Sequence, residues 1–223
     1  FCTLSFMAAI TESVGLVSGV LILPQRQTAL VAKQAAQVDV LSNGRLRLGV
    51  GVGWNPVEYS ALGQDWKTRG NRQSEQIELM NKLWTERSVN FRGAFDTVEH
   101  AGVNPLPVQR PIPVWFGGGS DATLKRAARL GSGWIPLGNP GTKTTLMIDK
   151  LNKLLILEGR EKEKFGIEAW IRYGDGNPES WALTAEKWLT LGANHLTFYT
   201  SGQGAGSVSQ QIELSLIHIS EPT

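Results

Sequence analysis

Two stretches of this chain combine glycine with polar side chains in patterns that could do chemistry. The first is Gly117-Gly118-Gly119-Ser120, which follows a short apolar run and precedes a helical pattern. Glycines at a strand end leading into a helix N-terminus present backbone N–H groups in a concave turn. The helix dipole adds partial positive charge there, and the Ser120 hydroxyl can donate as well. Phosphate is the natural occupant; the plainer alternative is a turn with Ser120 as an ordinary N-cap. The second stretch is Gly49-Val50-Gly51-Val52-Gly53-Trp54-Asn55-Pro56-Val57-Glu58. A strand ending in glycines lets a flat ligand or a bulky neighbour come close, because no Cβ stands in the way. The polar residues that follow lie where α/β proteins place their chemistry, just past the carboxyl end of a strand. Asn55 and Glu58 could bond a polar ring edge or could simply cap the short helix after Pro56. Arg26 could serve an anion or be a solvated loop residue. The glycine spacing is not a dinucleotide fingerprint, since Pro56 interrupts any immediate helix. No Ser-His-Asp set, paired catalytic carboxylates or P-loop lysine is recognisable. The catalytic residues stay unassigned, and the pattern favours a cofactor that brings its own reactivity.

Composition narrows the classes. The chain has 223 residues, 41% hydrophobic and 19% charged, with a net charge of +2 that is nowhere gathered into a patch, so nucleic acid is not an expected partner. A single cysteine, Cys2, excludes a disulfide framework, and the three histidines have no ligand spacing, so no metal is expected. The apolar run from Leu16 to Leu23 is too short to cross a bilayer and nothing resembles a signal peptide, which gives a cytoplasmic expectation and no membrane partner. The eight tryptophans could fill the core or line a pocket for a flat ring.

The elements that must position these residues alternate. Leu4 to Ile10 reads as a helix, and Gly15 to Leu23 as a strand buried on both faces. Thr28 can N-cap a helix through Leu41 that Asn43-Gly44 closes, and Arg45 to Val52 is the next strand. A helix over 68–84, a hairpin over 88–100 and an extended proline segment over 104–113 lead to a strand over 114–116. Then come a helix over 121–130, a strand over 133–135, a helix over 144–159, a strand over 167–173, a helix over 178–191 and a strand over 195–200. Six strands alternating with helices mean a parallel α/β sheet, open or closed. A closed barrel needs eight βα units in about 250 residues, so about the first two would be missing.

Both ends look unnatural. The chain opens at Phe1 in mid-pattern, and Leu214 to Thr223 reads like an in-frame translation of a sequencing-library adaptor. The expected organisation is one domain over residues 1–213 and a non-native tail over 214–223, as in a metagenomic fragment.

At these motifs the chain resembles the bacterial luciferase-like monooxygenase superfamily, and within it the F420-dependent oxidoreductases. The matching text is Val20-Leu21-Ile22-Leu23-Pro24-Gln25-Arg26, Ala32-Lys33-Gln34, Ser42-Asn43-Gly44-Arg45 and Gly49 to Asn55. It continues through Glu58, Leu62-Gly63, Arg69-Gly70-x-Arg72, Glu75, Pro113 to Gly118 and Gly131-x-Gly133-Trp134. The resemblance implies a (β/α)8 TIM barrel of luciferase-like type that binds F420, or alternatively FMN, at its C-terminal face. It implies that a bulge in the third barrel strand, often with a non-prolyl cis peptide, backs the tricyclic ring; the matching step here is Gly19-Val20. Gly53, Trp54 and Asn55 would contact the ring or ribityl chain, and Gly117, Gly118, Gly119 and Ser120 would hold the phosphate. Family members act on small organic molecules and are commonly homodimers. Three readings follow as expectations: hydride transfer with F420, FMN-dependent oxygenation using O2, or a non-catalytic flavin-binding barrel.

Overall fold

The computed structural model describes residues 1–200 together with residues 207 and 209. These divide into two compact units, Phe1–Gly117 and the part of the chain after it. The tail expected over 214–223 lies outside the described residues.

The first unit opens with α1 (Cys2–Ile10), then two short strands, β1 (Leu16–Val17) and β2 (Leu21–Ile22), and α2 (Thr28–Leu41). It continues with β3 (Leu46–Gly51), α3 (Pro56–Ala61), α4 (Arg69–Thr85), the strands β4 (Val89–Arg92) and β5 (Thr97–Ala101), and β6 (Val114–Gly117). Both β1 and β2 pair in parallel with β3, and β3 pairs in parallel with β6. The expected single strand over 15–23 is therefore broken in two. Val17 is level with Arg47 and Leu21 with Val50, four steps on one side against three on the other. That extra residue is a β-bulge, and the peptide bond between Gly19 and Val20 inside it is cis. The strand is not buried on both faces either: Leu16 is buried, whereas Val17, Leu21 and Ile22 are half-buried.

The helices bury what their periodicity marks. α2 turns Val31, Ala32, Ala35, Ala36 and Val38 inward, and α4 packs on it, with the buried Trp84 indole donating to the Ala32 carbonyl at 3.0 Å. Thr28 is the first helical residue rather than the cap, and its hydroxyl donates to Asp96 at 2.7 Å. The buried Asp39 carboxylate is satisfied by the Gln109 backbone and side-chain N–H groups at 2.9 and 2.7 Å. Arg45 closes the end of α1, its guanidinium donating to the carbonyls of Ala8, Thr11 and Val14. Those carbonyls have no helical partner, and a cation there also suits the dipole. Glu75 accepts from the amides of Ala94, Phe95 and Asp96, so it shapes the turn of the β4–β5 hairpin.

The second unit contains α5 (Asp121–Leu130), β7 (Gly133–Ile135), α6 (Thr142–Leu157), β8 (Gly166–Arg172), α7 (Pro178–Thr190) and β9 (His195–Tyr199). Strand β8 pairs in parallel with β7 and with β9. Trp134 and Trp188 are fully buried here, and Arg160 closes α5 as Arg45 closes α1, donating to Ala128 and Gly131 carbonyls at 2.6 and 2.8 Å. Apart from the antiparallel hairpin, the strand pairings are parallel and alternate with helices, the α/β class read from the sequence. No helix among the described residues is long and apolar enough to cross a membrane.

Candidate cofactor site

In the first unit Val20, one of the expected ring-side residues, is flanked by two glycines, Gly51 and Gly117. A Cβ built on Gly51 would stand 2.8 Å from Val20 Cγ2, and one built on Gly117 would stand 2.8 Å from Val20 Cγ1. Real side chains do not pack that closely, so both glycines are the room Val20 occupies. Gly53 is constrained twice. Its φ is +68°, and a Cβ there would stand 3.0 Å from Ile22 Cγ2. Of the two explanations open for glycines in this strand, the bulky neighbour accounts for Gly51 and Gly53. Gly19 is exposed, while Val20, Gly53, Asn55 and Gly117 are half-buried.

Trp54 stands out beside them, with 84% of its surface exposed three residues past the end of β3. The other tryptophans divide: Trp84, Trp115, Trp134 and Trp188 are buried, and Trp66, Trp170 and Trp181 are half-buried. Asn55 caps α3, its side-chain oxygen accepting from the Val57 amide at 3.0 Å. Its amide nitrogen donates to Glu58 at 3.2 Å, and the other Glu58 oxygen accepts from Gln25 at 3.1 Å. Capping is thus the role these two polar side chains have in the fold.

Behind α3 lies a cluster that the sequence reading did not assemble. Tyr59 is fully buried and its hydroxyl donates to the Val52 carbonyl at 2.6 Å, just past β3. Burial pushes its pKa up to about 12, against the opposing pull of the Arg69 and Arg72 charges. The Trp66 ring meets Tyr59 edge-on at 5.1 Å, and the Arg69 guanidinium lies 3.7 Å over the Trp66 ring. Arg72 donates to the Arg26 carbonyl at 3.4 Å and Gln76 to the same oxygen at 2.9 Å, which fixes the backbone from which the exposed Arg26 side chain projects. In the sequence this cluster is marked by the Arg69-Gly70-x-Arg72 spacing, which by itself assigns no role.

In the second unit the glycine turn is stitched to β7. The Gly118 amide donates to the Ile135 carbonyl at 3.2 Å, and the Gly118 carbonyl accepts from the buried Trp134 indole at 2.6 Å. Gly118 has φ +120°, a conformation that L side chains rarely adopt. Ser120 caps α5: its oxygen accepts from the Thr123 amide at 3.2 Å and lies 2.9 Å from the Thr123 hydroxyl. The amides of Asp121 and Ala122 have no intrahelical carbonyl to reach, as in the first turn of any helix. The Asp121 carboxylate sits at this end but is matched by Lys150 of α6 at 2.5 Å. That ammonium, by hydrogen bond and charge, holds the Asp121 pKa below the usual carboxylate range.

The expected residues therefore fall into two sets, each described within its own unit: Gly19, Val20, Gly53, Trp54, Asn55 and Gly117 in the first, Gly118, Gly119 and Ser120 in the second. None of them lines the groove of about 460 Å³ that the second unit forms between Pro140–Leu146 and Lys187–Leu191. No group of three His, Cys, Asp or Glu side chains among the described residues could hold a metal ion.

Comparison with known proteins adds what geometry cannot. The family model for luciferase-like monooxygenases matches residues 1–210. An FMNH2-dependent dimethylsulfone monooxygenase from Pseudomonas putida is 30% identical over 184 residues, covering 81% of this chain and 50% of the relative. An F420-dependent glucose-6-phosphate dehydrogenase from Amycolatopsis mediterranei is 36% identical over 143 residues, covering 63% of this chain and 42% of the relative. The solved coenzyme F420-dependent tetrahydromethanopterin reductase from Methanopyrus kandleri superposes with a TM-score of 0.76 at 16% identity, covering 98% of this chain and 87% of that one. At that identity the likeness bears on the fold. The chain spans about half the length of the curated relatives it matches.

Proposed function

This chain belongs to the luciferase-like monooxygenase family, and on that premise we propose that it is a flavin- or deazaflavin-dependent oxidoreductase moving a hydride between coenzyme F420 and a small organic substrate. The fold class is the α/β barrel type of that family, and its members include both oxidoreductases and monooxygenases. The observation that carries the reading is Trp54: an indole 84% exposed, placed three residues past the end of β3. An exposed flat ring at that position suits stacking against another flat ring.

The residues fit such a group. Gly19, Val20, Gly53, Trp54 and Asn55 are proposed to face the tricyclic ring, with Asn55 held in place by its cap. Gly117, Gly118, Gly119 and Ser120 are proposed to hold the phosphate, through the Ser120 hydroxyl and the open amides of the α5 first turn. The Asp121–Lys150 pair matters to this reading, since Lys150 offsets a carboxylate that would repel an anion there. A bound deazaflavin or flavin supplies the hydride-carrying chemistry itself; the protein supplies orientation and exclusion of water.

The similarity to the dimethylsulfone monooxygenase favours a second reading, FMN-dependent oxygenation with O2. Anaerobic mixing of the protein with F420, followed by absorbance under a panel of reduced organic substrates, tests the first reading. Oxygen uptake with reduced FMN tests the second. Turnover with F420 and no oxygen uptake is the expected result; uptake with FMN alone replaces the first reading by the second.

A further inference from the structure

The cluster behind α3 is short of negative charge. Among the described residues, Arg26, Arg69 and Arg72 have no ion-pair partner. Arg69 donates to the Trp66 carbonyl at 2.7 Å and Arg72 to the Arg26 carbonyl at 3.4 Å, yet a guanidinium offers five N–H donors. The Nε atoms of both are shielded from solvent and have no hydrogen-bond partner. Both side chains are half-buried, and a guanidinium N–H shielded from water without an acceptor is costly. Neighbouring groups do not supply the missing charge. Glu58 is engaged by Gln25 and Asn55. Tyr59 donates its proton to Val52, and burial keeps it protonated across the ordinary pH range.

We propose that Arg69 and Arg72, with Arg26 at their edge, form a recognition site for an anionic oxygen group, a phosphate or a carboxylate, on a ligand of this protein. The face of Trp66 holds the Arg69 guanidinium flat, and the planar fork of each arginine matches two oxygens of such a group at once. The site belongs to the first unit and stands at the β3 end through Tyr59 and Val52. It does not depend on the flavin reading, because it rests on the guanidiniums alone. The anion has two sources, an acidic substrate or the phosphate of the flavin, the latter in place of the Gly117 to Ser120 turn to which the proposed function gives it, and one experiment separates them.

The test is a titration of isotope-labelled protein with inorganic phosphate, following the arginine Nε–H resonances by NMR, with Arg69→Gln and Arg72→Gln supplying the assignments. Saturable shifts of both resonances are expected, with phosphate affinity falling about tenfold or more in each glutamine variant, as for loss of a charge-assisted bond. Arg72→Lys, which keeps the charge and loses the fork, should recover part of that affinity, showing that the glutamine effect is not misfolding. A response no greater than that to the same ionic strength of chloride, in protein with an unchanged circular-dichroism spectrum, overturns the proposal. FMN and riboflavin then locate the source. If Arg72→Gln weakens FMN and spares riboflavin, the anion is the flavin's phosphate. If it abolishes the phosphate response and spares both flavins, the anion is a substrate's. Flavin binding without a phosphate response sinks this site and leaves the functional reading standing; a phosphate response without flavin binding does the reverse.

Discussion

At the end of β3, Gly51 and Gly53 are glycine because Val20 and Ile22 stand where their Cβ atoms would be, at 2.8 and 3.0 Å. At the turn before α5, a Cβ on Gly118 would find only ordinary contacts near 3.5 Å, and glycine is there for its φ of +120°. The two runs look alike in sequence. Gly51 in one run and Gly117 in the other are packing solutions, in which the chain's own Val20 occupies the space; Gly118 is a backbone solution, which shapes a helix entrance with amides left over, and Gly53 is both. A glycine run therefore marks close approach or unusual backbone, and only the three-dimensional neighbour says which.

The largest expected effect tests that distinction. Gly51→Ala and Gly117→Ala should each cost about 1–3 kcal/mol in urea unfolding, the range for overpacking, and Val20→Ala should recover most of it in a double-mutant cycle. Gly118→Ala should cost about 1–3 kcal/mol through backbone strain and should gain nothing from Val20→Ala. Recovery at all three positions, or at none, would erase the comparison.

Next in size is an alkaline effect confined to the first unit. Tyr59 titrates near 12 when folded and near 10 when unfolded, so between those values the unfolded chain has lost a proton that the folded one keeps. Its contribution is therefore complete below pH 10 and is lost as pH rises through 12. Unfolding free energy should fall over that window in the wild type, and Tyr59→Phe should flatten the fall.

Ser120→Ala removes the α5 cap and should cost about 1 kcal/mol. If the turn also holds phosphate, the preference for FMN over riboflavin should drop several-fold in equilibrium binding. The smallest effect belongs to Asp121, which is exposed and whose pKa Lys150 lowers. Its stabilisation is present above the ordinary carboxylate pKa and lost as pH falls through the lowered value. Asp121→Asn should remove only a shallow acid limb from the stability profile, while tightening phosphate at the turn.

Much of the fold was legible where local signals agree. The helix over 121–130 and the strand over 133–135 have the bounds that Ser120 and Gly131 suggest. The hairpin over 88–100 was readable too, although Glu75, which ties its turn down, carries no local mark of doing so. The break in the run over 15–23 was not readable from its uniformly apolar residues. It depends on where Val20 packs, against glycines on β3 and β6 that are distant in the chain. Thr28 looked like a cap because its hydroxyl could reach its own helix; the structure gives that hydroxyl to Asp96 instead. For the site, the positions of the glycines and of Trp54 could be read, but the Tyr59–Trp66–Arg69 stack is a tertiary arrangement with no periodicity to announce it.

The central claim is that the exposed indole after β3 receives a flavin-type ring. Equilibrium dialysis of the wild type and of Trp54→Ala against F420 and against FMN, read by the absorption of the retained protein, tests it most directly. The side chain is 84% exposed, so the variant should unfold at the same urea concentration as the wild type. The account predicts that the wild type retains at least one of the two cofactors at one per chain and that Trp54→Ala loses most of it. Folded wild-type protein that retains neither, or a variant that retains as much as the wild type, would contradict it.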